Sequence, residues 1–117
     1  MPPKRNPLNL NALQLKTLAL LQALARLPEH GRPAGVDGSI LVSDLPRPHG
    51  DHFHLGDAVV ATRDATGLAN QAAWVALERK GLIKAQFPWA ATLTAAGLSY
   101  DTGLADTILH RADHADH

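Results

Sequence analysis

The segment from Thr66 to Leu98 constrains the fold more than any other part of the chain. A turn-like Thr66-Gly67-Leu68 leads into the helical run Ala69 to Lys80, which a Gly81-Leu82-Ile83 step brings to an end. A short apolar ribbon follows, Leu82 to Phe87 and Trp89 to Leu93 on either side of Pro88, and then the phrase Leu93-Thr94-Ala95-Ala96-Gly97-Leu98. Proline between two extended runs suits a tight turn, and Thr94 is placed to cap a following helix. The order is helix, strand, turn, strand, helix. The last helix is expected to include Leu98, Leu104, Ala105, Ile108 and Leu109, with Gly97 and Gly103 weakening its start.

The 117 residues make one domain with a modest core. Of these, 45% are hydrophobic but only 4% aromatic, so the core is built from Leu, Ala, Val and Ile, which favours helices over a large sheet. Residues 1 to 7 read as a Pro-rich disordered leader, 8 to 113 as the domain and 114 to 117 as a frayed tail. Residues 8 to 27 form the first helix. At about 100° per residue, Leu10, Leu13, Leu20, Leu21, Leu24 and Leu27 share a stripe about 120° wide, the width of a face laid on a core. Leu15 and Leu18 lie off that stripe and form a second apolar surface, to be covered by a partner chain in a homodimer or by the C-terminal helix. Pro28 and Gly31 to Gly35 break the chain. Gly38 to Leu45 alternates as a short strand that Pro46 and Pro48 end, and a second helix is expected from Leu55 to Arg63 or Ala65.

The Glu78-Arg79-Lys80-Gly81-Leu82-Ile83 helix end and the Leu93-Thr94-Ala95-Ala96-Gly97 phrase resemble the second half of a winged helix-turn-helix domain, as in MarR-like and PadR-like bacterial transcriptional regulators. The resemblance covers about half of the chain. It implies an α+β, mostly helical fold of four helices with a small three-stranded antiparallel sheet, usually dimeric, binding duplex DNA through the helix at 68–80 and the short wing at 82–93. That helix is about one turn shorter than is usual in MarR-like proteins.

DNA recognition needs long polar side chains for base edges and cations for phosphates. Asn70 and Gln71 are the candidates for bases, and Arg63, Arg79, Lys80 and Lys84 for phosphates; an ordinary solvated surface explains the same residues. Trp74 and Leu77 belong to the core. Trp89 sits at the wing tip, where it either folds back or anchors a protein partner. A protein-interaction module without DNA binding is thus the alternative to a regulator. Eleven basic residues balance eleven acidic ones, so no global field draws the chain to nucleic acid. The charge is split, however: four bases against one acid in residues 1–30 give +3, and one base against four acids in 101–117 give −3.

Histidines supply the one constellation suited to a cofactor. His49, His52 and His54, with Asp51, make a candidate site for a divalent metal, and His110, Asp113, His114 and His117 have the spacing of one helix face. A His-based metal-responsive regulator is a further alternative. No cysteine is present, which excludes disulfides and thiolate chemistry. There is no phosphate loop, GxSxG or HExxH motif, so an enzyme is not expected. The N-terminal segment is periodic and polar-interrupted, unlike a signal peptide or membrane span; a cytoplasmic protein with no membrane association is expected.

Overall fold

The computed structural model describes residues 6–35, 37–46 and 50–111. They form an α+β domain of helices and antiparallel sheets. Helix α1 (Ala12–Ala25) begins later than residue 8 because Asn9 takes a left-handed φ of 57°. Asn11 then caps the helix: its side chain accepts from the Gln14 amide at 2.8 Å, while the Gln14 side chain accepts from the Asn11 amide at 3.0 Å. This reciprocal box satisfies two amides that the first turn leaves orphaned. Ahead of the helix, Asn6 exchanges hydrogen bonds with both backbone groups of Leu10 and accepts one from the Tyr100 hydroxyl.

The stripe expected for the first helix is buried at Leu10, Leu20, Leu21 and Leu24, and burial in the middle of α1 extends beyond it. Residues Thr17, Leu18, Ala19, Leu20 and Leu21 are all buried, and five consecutive residues at about 100° each sweep the full circumference. Strands β1 (Gly31–Pro33) and β2 (Ile40–Ser43) and helices α2 (Gln71–Arg79), α3 (Ala95–Ser99) and α4 (Ala105–Ile108) all touch α1, as does the 3-10 turn at Thr66–Ala69. Leu18 is 0% exposed and Leu15 half-buried within one chain. Leu18 is thus covered within the chain and has no surface left for a partner.

The sheet holds four strands instead of three, in the order β1-β2-β6-β5, with β5 at Ile83–Gln86 and β6 at Ala90–Leu93. β1 lies in the segment read as a break. It adds to the edge through Gly31↔Val42 and Pro33↔Ile40, a position that tolerates its proline. The ribbon β5–β6 pairs as expected, from Ile83↔Leu93 to Gln86↔Ala90, around the three-residue loop Phe87-Pro88-Trp89. On its outer edge Glu78 Oε2 accepts the Ala85 amide at 3.3 Å, which satisfies one donor of this edge strand.

The largest correction lies at 52–61. The expected helix from Leu55 is a hairpin, β3 (His52–Leu55) and β4 (Ala58–Ala61), in a second sheet with β7 (His110–Arg111). Phe53 and Leu55 alternate inward between outward His52 and His54. Gly56 opens the two-residue loop at φ 59°, the conformation that a tight hairpin demands and that glycine alone adopts freely. Val59 and Val60 favour the pleated form. Two 3-10 turns, Thr62–Asp64 and Thr66–Ala69, then lead into α2, and the expected helix at 68–80 is trimmed accordingly. The single C-terminal helix is likewise two short ones, α3 and α4, separated by Tyr100–Leu104, where Gly103 adopts φ 70°. Helix and strand therefore contribute comparably, and the fold is not mostly helical.

The two motifs read from the sequence have direct structural causes. Helix α2 ends with Gly81 at φ 77°, its amide donating to Glu78 O at 3.0 Å and the Leu82 amide to Leu77 O at 3.1 Å. This is the paired closure that needs a glycine in the left-handed region followed by an apolar residue. Thr94 caps α3 by accepting from the Gly97 amide and donates to Gly81 O at 2.7 Å. A Cβ at Gly97 would stand 2.0 Å from Leu82 O. Helix α3 therefore rests on the backbone at the start of β5, and only glycine fits there.

Candidate site at helix α2 and the ribbon tip

Helix α2 is set by three anchors. Asn70 caps it, its side-chain oxygen accepting from Ala72 and Ala73 amides at 3.0 and 3.4 Å. Trp74 is fully buried and its indole N–H donates to Gly67 O at 3.0 Å. Gly67 in turn lies so close to α1 that a Cβ would meet Thr17 Oγ1 at 1.7 Å. With Ala73, Trp74 and Leu77 buried, Gln71, Ala72, Glu78 and Arg79 are exposed and Val75 and Ala76 half-buried.

The structure does not gather the six residues expected to contact DNA. Asn70 spends its carbonyl oxygen on the cap. Gln71 is exposed at the first turn, and Arg63 is exposed on the preceding 3-10 turn. Arg79 and Lys80 are exposed at the other end of α2, about 12 Å along the axis at 1.5 Å per residue. Lys84 is exposed on the sheet face opposite its buried neighbour Ile83, since side chains alternate along a strand. There it lines a recess with Asp37, Ser39 and Thr92. Asp37 titrates below the ordinary carboxylate value, chiefly through hydrogen bonds with Ser39, with the Lys84 charge contributing. The cation at 84 thus faces an anion on the far side of the sheet from α2.

The ribbon tip is different in character. Trp89 is 76% exposed, so of the two placements expected for it the outward one is realised. Phe87 turns inward and meets Trp74 edge to face, with ring centroids 5.1 Å apart and planes at 83°. Beside the tip lies a groove of about 730 Å³ lined by Asp44, Leu45, Pro46, Ala65, Leu68, Ala69, Phe87, Pro88 and Trp89. Leu68 and Ala65 form its apolar floor. Nothing in the sequence pattern joined residues 44–46 to the tip; the β2–β6 pairing, Ser43↔Ala90, does so.

Of the histidines expected to hold a metal, His49 lies outside the described residues. His52 and His54 project from the same face of β3, ring centroids 5.8 Å apart. Asp51 hydrogen-bonds His52 Nδ1 at 3.0 Å, and this holds the carboxyl below its ordinary value. Among the described residues no group of three or more His, Asp or Glu is arranged to hold a metal ion. His110 lies in β7 instead of on a helix face; Asp113, His114 and His117 lie outside the described residues. No described helix is long and apolar enough to cross a membrane.

No family model, no curated protein and no solved structure matches the chain.

Proposed function

We propose that the chain is a degenerate winged-helix domain that works as a protein-interaction module through the ribbon tip. The winged-helix part of this reading is supported by the strand order β2-β6-β5 with α2 leading directly into the ribbon, and by the helix-end and Thr94-Gly97 motifs. The hairpin β3–β4 and the two 3-10 turns occupy the place of the helix that would precede the recognition helix. The observation that carries the interaction reading is an indole 76% exposed beside an apolar groove, on a tip without a single cation. Exposed aromatics bordering a pocket are the usual anchors of protein interfaces.

The second reading, a regulator binding duplex DNA, draws support from Arg79 and Lys80, adjacent and exposed at the end of α2. Two tests separate them. Anisotropy of labelled duplex DNA at low and at physiological salt is expected to show no salt-sensitive binding. A photo-crosslinking residue placed at Pro88 is expected to capture a partner, with capture lost on Trp89→Ala and kept in Arg79→Ala with Lys80→Ala. Duplex binding whose salt slope drops by about one for each cation removed would establish the regulator instead.

A further inference from the structure

The groove beside Trp89 is specific enough in its lining to name what it takes. Its walls are two loops, Asp44-Leu45-Pro46 and Phe87-Pro88-Trp89, and its buried lining is Ala65 and Leu68, with Ala69 exposed beside them. Protein segments bind in a few recurring backbone forms. Added strands need a free sheet edge along the groove, and none of its described lining residues lies in a strand: β2 ends at Ser43, β5 at Gln86, and β6 begins at Ala90. A polyproline II segment needs no such edge, because its backbone carries no internal ladder and docks by packing prolines on aromatic rings. Trp89, Pro88, Phe87 and Pro46 offer that surface.

Charge sets the second requirement. Among the described lining residues Asp44 is the one that carries a charge; it is exposed and forms no ion pair with any described residue. A carboxylate at the margin of an apolar groove favours a cation in the segment that fills it. We infer that the groove binds an extended, proline-rich segment of a partner protein through its prolines on Phe87, Pro88 and Trp89 and a single Arg or Lys directed at Asp44. This rests on the interaction-module reading and gives that module's partner a chemistry.

The test titrates the full chain with an acetylated, amidated octapeptide of seven prolines and one central arginine. Fluorescence reports it, because Trp89 is exposed while Trp74 is sealed in the core, and amide shift changes locate it. Saturable binding that moves Leu45, Leu68 and Trp89 is expected. The same peptide with glutamate replacing arginine is expected to bind at least tenfold more weakly, and so is one with alanines replacing the prolines. Asp44→Asn should erase the preference for arginine over glutamate; asparagine accepts the left-handed φ of 58° found at this position, so the loop is kept. Trp89→Ala should abolish binding. Equal affinity for the arginine and glutamate peptides, equal affinity for the alanine peptide, or shifts confined to another surface would each overturn the inference. A Trp89-dependent crosslinked partner combined with any of these results would leave the module standing and remove only the proposed ligand. Salt-sensitive duplex binding would remove the module itself.

Discussion

Gly97→Ala tests whether the helix α3 contact, and with it the Thr94-Gly97 motif, holds the domain together. The new methyl would stand 2.0 Å from Leu82 O and 2.9 Å from Leu82 C, whereas ordinary contact begins at 3.4 Å. The obstacle is backbone, so no side-chain rotation relieves it; α3 must slide off the start of β5. Overpacking of this kind costs about 1–3 kcal/mol. The slide also stretches the bond from the Gly97 amide to Thr94 Oγ1 at 3.1 Å and that from Gln22 Nε2 to Gly97 O at 2.8 Å, about 1 kcal/mol each. Replacing glycine by alanine in a helix returns about 0.5–1 kcal/mol. The net is a destabilisation of about 3 kcal/mol, a large part of the roughly 5–15 kcal/mol that holds such a domain folded. In urea the midpoint should fall with an unchanged slope, and Tm should drop by about 10–15 °C. Gly81→Ala is the control: nothing lies within 4 Å of its Cβ, but its φ is 77°, so it should cost only the left-handed penalty of about 1–2 kcal/mol. If Gly97→Ala proves no more damaging than Gly81→Ala, the docking of α3 on Leu82 is not what the glycine is for.

Asn70→Ala should destabilise the fold by about 1 kcal/mol in urea, because the residue caps α2, and Asn70→Asp should retain most of that stability; a residue kept only to read bases would change stability in neither variant. Gly56→Ala should cost about 1–2 kcal/mol through its φ of 59°, with further cost from the Leu27 Cδ2 atom 2.8 Å from the added Cβ, read as a lowered urea midpoint. Asp51, held below the ordinary carboxylate value by His52, contributes stability that is present above the unfolded value and lost as pH falls through the lower folded one. Its carboxyl carbon, followed by NMR, should therefore titrate at a higher pH in His52→Ala than in the wild type, and an unchanged midpoint would mean the pair is not formed in solution.

The parts of the fold legible in the sequence are those fixed by local chemistry. Glycine after Lys80, threonine at 94 and proline at 88 each answer a backbone requirement within a few residues, and the helix end, ribbon and cap they imply stand where expected. The hairpin at 52–61 was also written locally, in alternating His and apolar residues around Gly56-Asp57, but helix-compatible alanines at 58 and 61 masked it. Edge strand β1 had no local pattern at all: Gly31-Arg32-Pro33 becomes a strand only because β2 stands beside it. Burial of α1 on every side is equally nonlocal. A leucine-rich helix reads as one stripe plus a spare surface until the elements that cover the spare surface are known. For the site, residue types were legible and their convergence was not. Lys84 looked like an extension of Arg79 and Lys80, but one step of strand alternation sends it to the other face of the sheet.

The surface around Trp89 is tied directly to the core. The buried indole of Trp74 holds Gly67 O through its N–H and supports Phe87 with its ring. Gly67 precedes Leu68, part of the groove floor, and Phe87 forms a wall. One buried side chain thus fixes two sides of the groove, and the contact of Gly67 against Thr17 fixes the floor to the central helix as well. A groove assembled in this way is formed before anything enters it, so a ligand is spared the cost of ordering floor and wall. The exposed ring at the rim has no comparable support. Its 76% exposure leaves an indole's apolar surface in water, and covering an aromatic of that size is worth a few kcal/mol at about 25 cal/mol per Å². The rigid floor and the uncovered rim distinguish the ribbon tip from the outward side of α2, whose exposed residues are Gln71, Ala72, Glu78 and Arg79.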